Sequence, residues 1–424
     1  MNPADIGNAR VGVLIDHLFR HKAGQMVSTL TRIFGPDHLE LAEDVVQESL
    51  LQALQQWPYR GIPASPLAWI VEVAKNRVLN VLRREAMARD KAPALLGEAG
   101  LGTAAAAELA LDDPLGDDQL AMMFMCCYPG LAPEAQVALI LKTVGGFSVE
   151  EIAAAFLLPT ATIAQRLVRA KRRLREEAVA FALPPPDVLP ARLDAVLAAL
   201  YLLFNEGYAT HHGEDLVRSD LCVEAVRLAE LLAEHALTRQ PKVHALLALL
   251  LLQGSRLGAR LDATGRLARL AEQDRARWNP EAIRAGLSHL GEAATGDELT
   301  DYHLQAGIAA CHAVTASEAE TDWSTILMYY DALVARNPSP IVALNRAVAL
   351  AMVAGPRAGL VALEAIEARA QLENYYLLPA SFAELYQRLG ESARAGEYYR
   401  AALRLTQNAA QRRFLEEQLA ACGG

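Results

Sequence analysis

The stretch SVEEIAAAFLLPTATIAQRLVRAKRRLR, residues 148–175, decides the fold of the region around it. Ser148 followed three residues later by Glu151 is the capping-box pattern that begins a helix. Pro159 marks a turn, and we expect the Thr160 side chain to cap a second, longer helix. A short capped helix, a tight turn and a longer helix together predict a helix-turn-helix.

The second helix, which we expect to run to about Ala180, combines an apolar face with a basic one. Ile163, Leu167 and Leu174 recur at helical spacing on the apolar face. The N-terminal part of such a helix meets base edges in the major groove, where Thr, Gln and Arg side chains hydrogen-bond to bases. The candidates for base contacts are Thr160, Thr162, Gln165, Arg166 and Arg169. The candidates for phosphate contacts are Arg172, Arg173 and Arg175. An ordinary helical hairpin is the alternative, because this pattern also arises by chance.

The composition of the whole chain favours an all-α fold. The chain has 424 residues, of which 53% are hydrophobic, 21% charged and 6% aromatic, so a disordered or fibrous protein is excluded. Ala and Leu, both strong helix formers, outnumber the β-branched residues. At about 150 residues per domain, the length predicts two to three domains. The five cysteines have no framework spacing, which excludes a disulfide scaffold and indicates a reducing cytosol.

Two helices are predicted nearer the N-terminus. The first spans 39–57 and is expected to end at Trp57-Pro58, because a residue before proline is disfavoured in the α region. A Gly/Pro loop over 59–66 separates it from the second helix, 67–84. Further helices are predicted over 117–127 and 133–144.

The helix over 67–84 begins near an aromatic residue and becomes basic. An aromatic ring beside amide and basic side chains suits single-stranded or melted DNA, because bases stack on the ring and phosphates attract the cations. The residues of this kind are Trp69, Lys75, Asn76, Arg77, Asn80, Arg83 and Arg84. A core anchor is the alternative for Trp69, and a surface cap is the alternative for Asn76. On the preceding helix a protein-docking face is indicated by Glu43, Asp44, Gln47 and Glu48.

The net charge of −10 at first argues against a nucleic-acid partner, but the charge is unevenly distributed. Residues 1–180 contain 18 basic and 21 acidic side chains, a net of −3, and the remaining 244 contain 22 and 29, a net of −7. Six basic residues lie within 75–91 and six within 166–175, on either side of an acidic segment at about 97–118. We therefore predict weak intrinsic DNA binding that falls steeply with salt.

The run Leu183-Pro184-Pro185-Pro186 is the strongest linker signal in the chain. Amphipathic helices with short Gly, Pro and Asn breaks are predicted after it. Over about 320–420 they form a weak repeat of helix pairs. Leu389-Gly390, followed by Tyr398 and Tyr399, is similar to the tetratricopeptide pattern of Leu-Gly, Tyr and small residues.

Two polar clusters lie in this C-terminal half. One covers 205–207 and the other covers 272–275 together with Trp278. We interpret them as buried networks that join helices, with a small-ligand pocket as the alternative.

Catalytic and metal-binding motifs are missing from the sequence. There is no P-loop, GxSxG or GxGxxG pattern, so we expect no enzyme activity and no cofactor. The group His211, His212, Glu214 and Asp215 is interpreted as structural, because adjacent histidines do not face one ligand position; no metal is expected. The N-terminus lacks a signal-peptide core, and the longest apolar run, 243–252, is too short to span a membrane. A cytoplasmic protein without membrane partners is therefore predicted.

The residues described above resemble a known family. The string LAEDVVQESLLQALQQWPYRGIPASPLAWIVEVAKNRVLNVLRR, residues 41–84, is similar to region 2 of the extracytoplasmic-function sigma factors of bacterial RNA polymerase. The string DDQLAMMFMCCYPGLAPEAQVALILKTVGGFSVEEIAAAFLLPTATIAQRLVRAKRRL, residues 117–174, is similar to their region 4. Later strings resemble the subgroup with a long helical, tetratricopeptide-like C-terminal extension, namely YLLFNEGYAT, EAVRLAELL, EQDRARWNPEAI, TDWSTILMYYDAL and SPIVALNRAVAL.

This resemblance covers nearly the whole chain and implies its domain organisation. The parts expected are sigma region 2 at 1–87, a flexible acidic linker at 88–113, the region 4 helix-turn-helix at 114–182 and a helical extension at 187–424. The resemblance implies that the protein binds core RNA polymerase, through the clamp helices of its largest subunit and its flap region, and directs promoter-specific transcription initiation. The extension is expected to regulate this activity or to bind a regulatory protein or ligand.

The resemblance also assigns roles to individual positions. Those assigned to polymerase binding are Asp44, Gln47 and Glu48. Those assigned to the −10 element are Arg60, Ser65, Trp69, Lys75, Asn76, Asn80, Arg83 and Arg84. Those assigned to the −35 element are Thr160, Thr162, Gln165, Arg166, Arg169, Arg172 and Arg173. Many members of the family carry Asp at the position of Asn80, so the −10 preference does not follow from that residue.

Two other classes of protein remain open at this point. One is a helix-turn-helix regulator that acts on double-stranded DNA. The other is a tetratricopeptide-type scaffold without polymerase-directing activity.

Overall fold

The computed structural model describes residues 3–88, 115–156, 158–208, 218–262, 266, 268–366, 369–406 and 408–423. Apart from Ala88, the predicted linker at 88–113 lies outside these residues, as does the histidine group at 211–215. The chain divides into two compact units, Met1–Ala199 and Leu200–Gly424. This boundary lies further along the chain than the proline run at 184–186.

The first unit is built of helices, as the composition predicts. They are α1 (Pro3–Phe34), α2 (Leu39–Arg60), α3 (Pro66–Ala88), α4 (Leu115–Cys126), α5 (Pro133–Thr143), α6 (Val149–Phe156), α7 (Thr160–Glu176) and the first half of α8 (Leu189–Tyr208). α1 packs on α2, α3 and α4, and α7 packs on α5 and α6. The long N-terminal α1 was not predicted from the sequence.

The core of this unit is centred on α4, which is buried around its whole circumference. Met122, Met123 and Phe124 are fully buried, as expected for a helix that is hydrophobic on all sides. Burial raises the pKa of Cys126 to about 12 and raises that of Cys127 well above its usual value. Both thiols therefore pack as small apolar groups, as the sequence indicates.

Four predicted helix ends are wrong. α3, predicted to end at Arg84, continues to Ala88. α2 does not end at Trp57-Pro58 but continues through the proline to Arg60. The reason is that Trp57 is buried at 3% exposure, so its packing outweighs the local preference of a residue before proline. The helix ends instead at Gly61, whose φ of 82° lies in the left-handed region and whose N–H donates to the Trp57 carbonyl at 3.0 Å.

The other two errors concern α7. Thr160 is the first helical residue and not the cap, because Pro159 occupies the cap position and makes no side-chain hydrogen bond there. At the other end α7 stops at Glu176, short of Ala180. Ala178 adopts a φ of 48°, and the Val179 N–H donates to the Leu174 carbonyl at 3.0 Å. A left-handed residue with such a bond is the usual way in which a helix ends.

The second unit contains the rest of α8 and ten further helices in its described residues. They are α9 (Ser219–Glu234), α10 (Pro241–Gly254), α11 (Pro280–Ala293), α12 (Asp301–Ala313), α13 (Trp323–Arg336), α14 (Pro340–Ala354), α15 (Pro356–Glu364), α16 (Leu377–Arg388), α17 (Ser392–Leu405) and α18 (Ala409–Cys422). Neighbouring helices pack in pairs along the chain, most closely α10 with α11, α14 with α15 and α16 with α17. The all-α prediction is confirmed.

The tetratricopeptide-like residues occupy the contact between α16 and α17. Gly390 forms the turn between these helices with a φ of 80°. The Tyr398 ring stacks on Tyr386 with centroids 5.5 Å apart and on Phe382 at 5.0 Å. The Tyr399 hydroxyl is hydrogen-bonded to Gln387 at 2.8 Å. The repeat pattern thus marks residues that join two antiparallel neighbours.

The polar cluster at 272–275 joins separate segments, as predicted, but is only partly buried: Glu272 and Asp274 are exposed, whereas Arg275 is half-buried beside the buried Trp278. Glu272 accepts a hydrogen bond from Arg269 at 2.7 Å. Arg269 also pairs with Glu384 of α16 at 3.5 Å. Asp274 caps a short 3-10 turn through the Ala276 N–H.

None of the described helices is by itself long and apolar enough to cross a bilayer. α6 and α7 reach that length and apolar composition only together, as a pair bent by 110°.

Candidate nucleic-acid interface

The turn between α6 and α7 has the geometry of a helix-turn-helix. The two helix axes are bent by 110°, within the range typical of this motif. The predicted capping box is present, since the Glu151 N–H donates to Ser148 Oγ at 3.1 Å and the Ser148 N–H donates to Glu151 Oε2 at 2.8 Å. These bonds satisfy backbone donors that the first turn of α6 leaves free.

α7 turns one face inward and the other to solvent. Ile163, Leu167 and Leu174 are buried, as the spacing predicts. The exposed side chains include most of those proposed to contact DNA: Thr160, Thr162, Gln165, Arg169, Arg172 and Arg173. Arg166 is half-buried, and its Nη1 atom is enclosed without a hydrogen-bond partner. The N-terminal half of α7 therefore presents a row of polar side chains with the composition that reads bases.

A shallow groove runs along this exposed row. It has a volume of about 350 Å³ and is lined on the α7 side by Thr162, Gln165, Arg166 and Arg169. Its other wall is the turn at residues 130–132, before α5. Further along, Arg172 pairs with Glu176 at 3.4 Å and Arg173 with Glu177 at 2.8 Å. Such exposed pairs contribute little stability, so both guanidinium groups remain available to a phosphate.

The second group of predicted DNA contacts lies on α2, α3 and the loop between them. Trp69 is half-buried and packs edge-on against the buried Trp57, with ring centroids 5.5 Å apart. This contact holds the Trp69 ring in place at the start of α3. The exposed members of the group are Arg60, Ser65, Asn76, Asn80, Arg83 and Arg84. Lys75 is buried at 8% exposure and does not lie with them.

The acidic face of α2 lies beside this group. Asp44, Gln47 and Glu48 are exposed. The Arg77 guanidinium from α3 pairs with Glu48 at 2.5 Å and donates to Gln52 at 2.7 Å. Arg77 thus joins α3 to the proposed docking face, a role that the sequence did not suggest.

A buried ion pair joins α2 to α7. The Lys171 ammonium lies 2.5 Å from the Glu43 carboxylate, and the two side chains are 10% and 7% exposed. Sequence reasoning missed it, because 128 residues separate the partners. Glu43 was assigned to the protein-docking face and Lys171 to the basic run at 166–175. The pair brings the helix of the predicted −35 contacts against the helix of the predicted polymerase contacts.

Two further contacts join the first predicted sigma region to the second, both through α1. Asp118 at the start of α4 accepts a hydrogen bond from Thr29 of α1 at 3.0 Å and pairs with Arg32 at 2.8 Å. The α1 backbone at Gly24 also lies directly against Val144 after α5, since a Cβ atom added to Gly24 would stand 1.8 Å from the Val144 carbonyl oxygen. Only glycine fits there.

Comparisons with known families agree with this geometry. Residues 18–87 match the model of sigma-70 region 2, and residues 121–174 match that of sigma-70 region 4. Residues 192–294 match a family of unknown function, DUF6596. An uncharacterized protein of Rhizobium meliloti (strain 1021) is 37% identical over 400 residues, which cover 93% of this chain and 92% of the relative. No solved structure matches the chain.

The fold and the matches define a DNA-binding protein of transcription initiation. The chain belongs to the sigma-70 family, as a sigma factor of the extracytoplasmic-function type that carries a C-terminal helical extension. The resemblance seen in the sequence is confirmed. Members of this family bind core RNA polymerase and promoter DNA.

Proposed function

We propose that α7 reads the −35 element of a promoter while α2, α3 and their loop bind the melted −10 region. The observation that carries this proposal is the exposed row of Thr162, Gln165 and Arg169 on a helix whose opposite face is buried. The acidic face formed by Asp44, Gln47 and Glu48 would dock on the clamp helices of the polymerase. The protein would act on DNA in the cytoplasm as part of this complex.

The test is run-off transcription in vitro with core polymerase, on a template that contains the promoter upstream of the protein's own operon. Wild-type protein is expected to produce a transcript of defined length, and Arg169→Ala is expected to reduce it strongly. Arg284→Ala, an exposed arginine on α11, is the matched control and should behave as wild type. A protein that binds duplex DNA alone and does not support initiation would instead be an ordinary helix-turn-helix regulator. A protein that does neither would be a scaffold.

We further propose that the C-terminal extension regulates initiation. Supporting this, the extension is a folded unit of its own, Leu200–Gly424, which is larger than either sigma region. Removal of 200–424 tests the role better than removal from residue 187. Arg192 donates a hydrogen bond to the Phe124 carbonyl, so the first half of α8 belongs with the sigma regions. Unchanged promoter output and unchanged polymerase affinity after this deletion would contradict the regulatory role.

A further inference from the structure

Three arginine side chains gather around aromatic rings in the second unit. Tyr208 ends α8, and Arg256 and Arg260 follow the end of α10. The guanidinium carbon of Arg260 lies 4.0 Å from the centre of the Tyr208 ring, and that of Arg256 lies 5.6 Å from it. Arg275 begins a 3-10 turn and lies 4.9 Å from the centre of the Trp278 ring.

Arg256 lies close enough to act on both of the other guanidinium groups. Burial lowers the pKa of Arg260, and the charge of Arg256 lowers it further. Burial also lowers the pKa of Arg275; the Glu318 and Glu320 carboxylates oppose this shift, and the charge of Arg256 adds to it. Burial, followed by the charges of Arg256 and Arg275, lowers the pKa of His312 to about 3. The His312 imidazole is therefore neutral, while the arginines keep their charge at any physiological pH. The three arginines therefore carry more positive charge than the two carboxylates that act on Arg275 offset.

Within the described part of the chain, the hydrogen-bond partners of these arginines are neutral groups. Arg275 Nη1 donates to the carbonyl oxygens of His312 and Thr315 and to the Thr315 hydroxyl. Arg256 donates to the side-chain amide oxygen of Gln253, and the Tyr208 hydroxyl is the side-chain partner of Arg260. Among the residues that the structure describes, no carboxylate forms an ion pair with any of the three arginines.

Several side-chain nitrogens in this cluster are buried and have no hydrogen-bond partner. They are Nη1 of Arg260, Nη2 of Arg275, Nδ1 of His312 and the indole nitrogens of Trp278 and Trp323. Buried polar atoms in folded proteins are nearly always hydrogen-bonded, and buried charges are nearly always paired. The Trp323 ring packs edge-on against His312 with centroids 5.3 Å apart, so these two unpartnered groups lie side by side.

We propose that Arg256, Arg260 and Arg275 form a binding site for a small anion that carries a carboxylate or phosphoryl group. The oxygens of such a group would accept from the free terminal nitrogens of Arg260 and Arg275, one on each guanidinium group. The rings of Tyr208 and Trp278 lie beside these guanidinium groups. Because the unpartnered nitrogens are enclosed, the ligand is a small molecule rather than a segment of a protein.

The test measures anion binding by full-length protein in isothermal titration calorimetry. The probes are inorganic phosphate and succinate, each titrated against sodium chloride of matched ionic strength. We expect saturable binding of at least one probe, which Arg260→Met and Arg275→Met each weaken roughly tenfold or more. Arg284→Met, on the exposed face of α11, is the matched control and should bind as wild type. Binding of phosphate alone identifies a phosphoryl ligand, and binding of succinate alone identifies a carboxylate.

Thermal unfolding gives a second, independent readout. Because Arg260→Met removes a buried unpaired charge, this variant should melt no lower than wild type without anion and should lose the stabilisation that the anion gives to wild type. The proposal is overturned if neither probe binds wild type at about 10 mM. It is also overturned if Arg260→Met and Arg275→Met bind as tightly as wild type. These measurements use neither polymerase nor DNA, so their outcome is independent of the proposed transcription role.

Discussion

The pair formed by Lys171 and Glu43 is the most consequential contact at the scale of single residues. Its atoms lie 2.5 Å apart and are almost fully enclosed. Replacing Lys171 by Met leaves a buried, uncompensated carboxylate, which is expected to lower the free energy of unfolding by about 3–5 kcal/mol. Urea unfolding measures this, with Arg172→Met as the control because Arg172 is the exposed neighbour on the same helix.

The double variant Glu43→Leu, Lys171→Met separates the cost of burying the two charges from the attraction between them. When both charges are replaced by apolar groups, stability should return to within about 1–2 kcal/mol of wild type or exceed it. Equal stability of Lys171→Met and wild type would show that the pair contributes nothing.

Base reading by α7 also belongs to the residue scale. Gln165→Ala and Arg169→Ala are expected to cost about 1–3 kcal/mol of binding to the preferred −35 sequence and to relax the preference at one base position each. Arg172→Ala and Arg173→Ala should instead weaken all sequences alike. Competition assays with single-base variants of the promoter, in the presence of core polymerase, distinguish the two patterns. Uniform weakening by Gln165→Ala would argue against base contact.

At the scale of single residues, the sequence predicted which side chains α7 exposes, but not which charged side chains are buried or paired. The exposure of Thr162, Gln165 and Arg169 follows from helical periodicity around a buried stripe. The burial of Lys75 does not follow from it, because a charged side chain enters the core only where other helices enclose it. The pairing of Glu43 with Lys171 depends in the same way on packing between helices far apart in sequence.

Caps decide the stability of the helix-turn-helix at the scale of elements. Ser148→Ala removes the side-chain acceptor of the capping box and is expected to cost about 0.5–2 kcal/mol. Thr160→Ala should change the free energy of unfolding by less, since Thr160 lies inside α7 and caps nothing. Urea unfolding of both variants measures the difference. If the two substitutions cost the same, the capping box does not stabilise α6.

The helices themselves could be predicted because their apolar spacing reflects burial along one face. The ends of the helices could not be predicted in this way. The burial of Trp57 and the left-handed backbone of Ala178 outweigh the local preferences of these residue types. The N-terminal α1 was not predicted, although Val11, Ile15 and Leu18 recur at helical spacing and are buried. They lie in a helix that packs against α2 and α4.

Charge sets the behaviour of the whole molecule in solution. The net charges of −3 for residues 1–180 and −7 for the rest oppose DNA, while the exposed basic rows attract it. Binding of free protein to promoter duplex is therefore expected to be weak and steep in salt, and core polymerase should strengthen it greatly. Fluorescence anisotropy over a salt series measures the slope of the logarithm of the binding constant against the logarithm of the salt concentration. Arg172→Ala should reduce this slope by about one unit. A dissociation constant that does not change with salt would contradict a phosphate-based interaction.

The close approach of Gly24 to Val144, together with the Glu43–Lys171 pair, has an energetic consequence for any ligand that requires the sigma regions to separate. For any partner that binds α2 and α7 only when they are apart, the observed dissociation constant rises by the reciprocal of the fraction of molecules already separated. If about one molecule in a hundred is separated, such a partner binds about a hundredfold more weakly than its contacts alone would allow. The fraction of protein bound then becomes large only when the concentration of that partner exceeds the raised dissociation constant. A substitution such as Lys171→Met lowers this concentration without changing the binding surface.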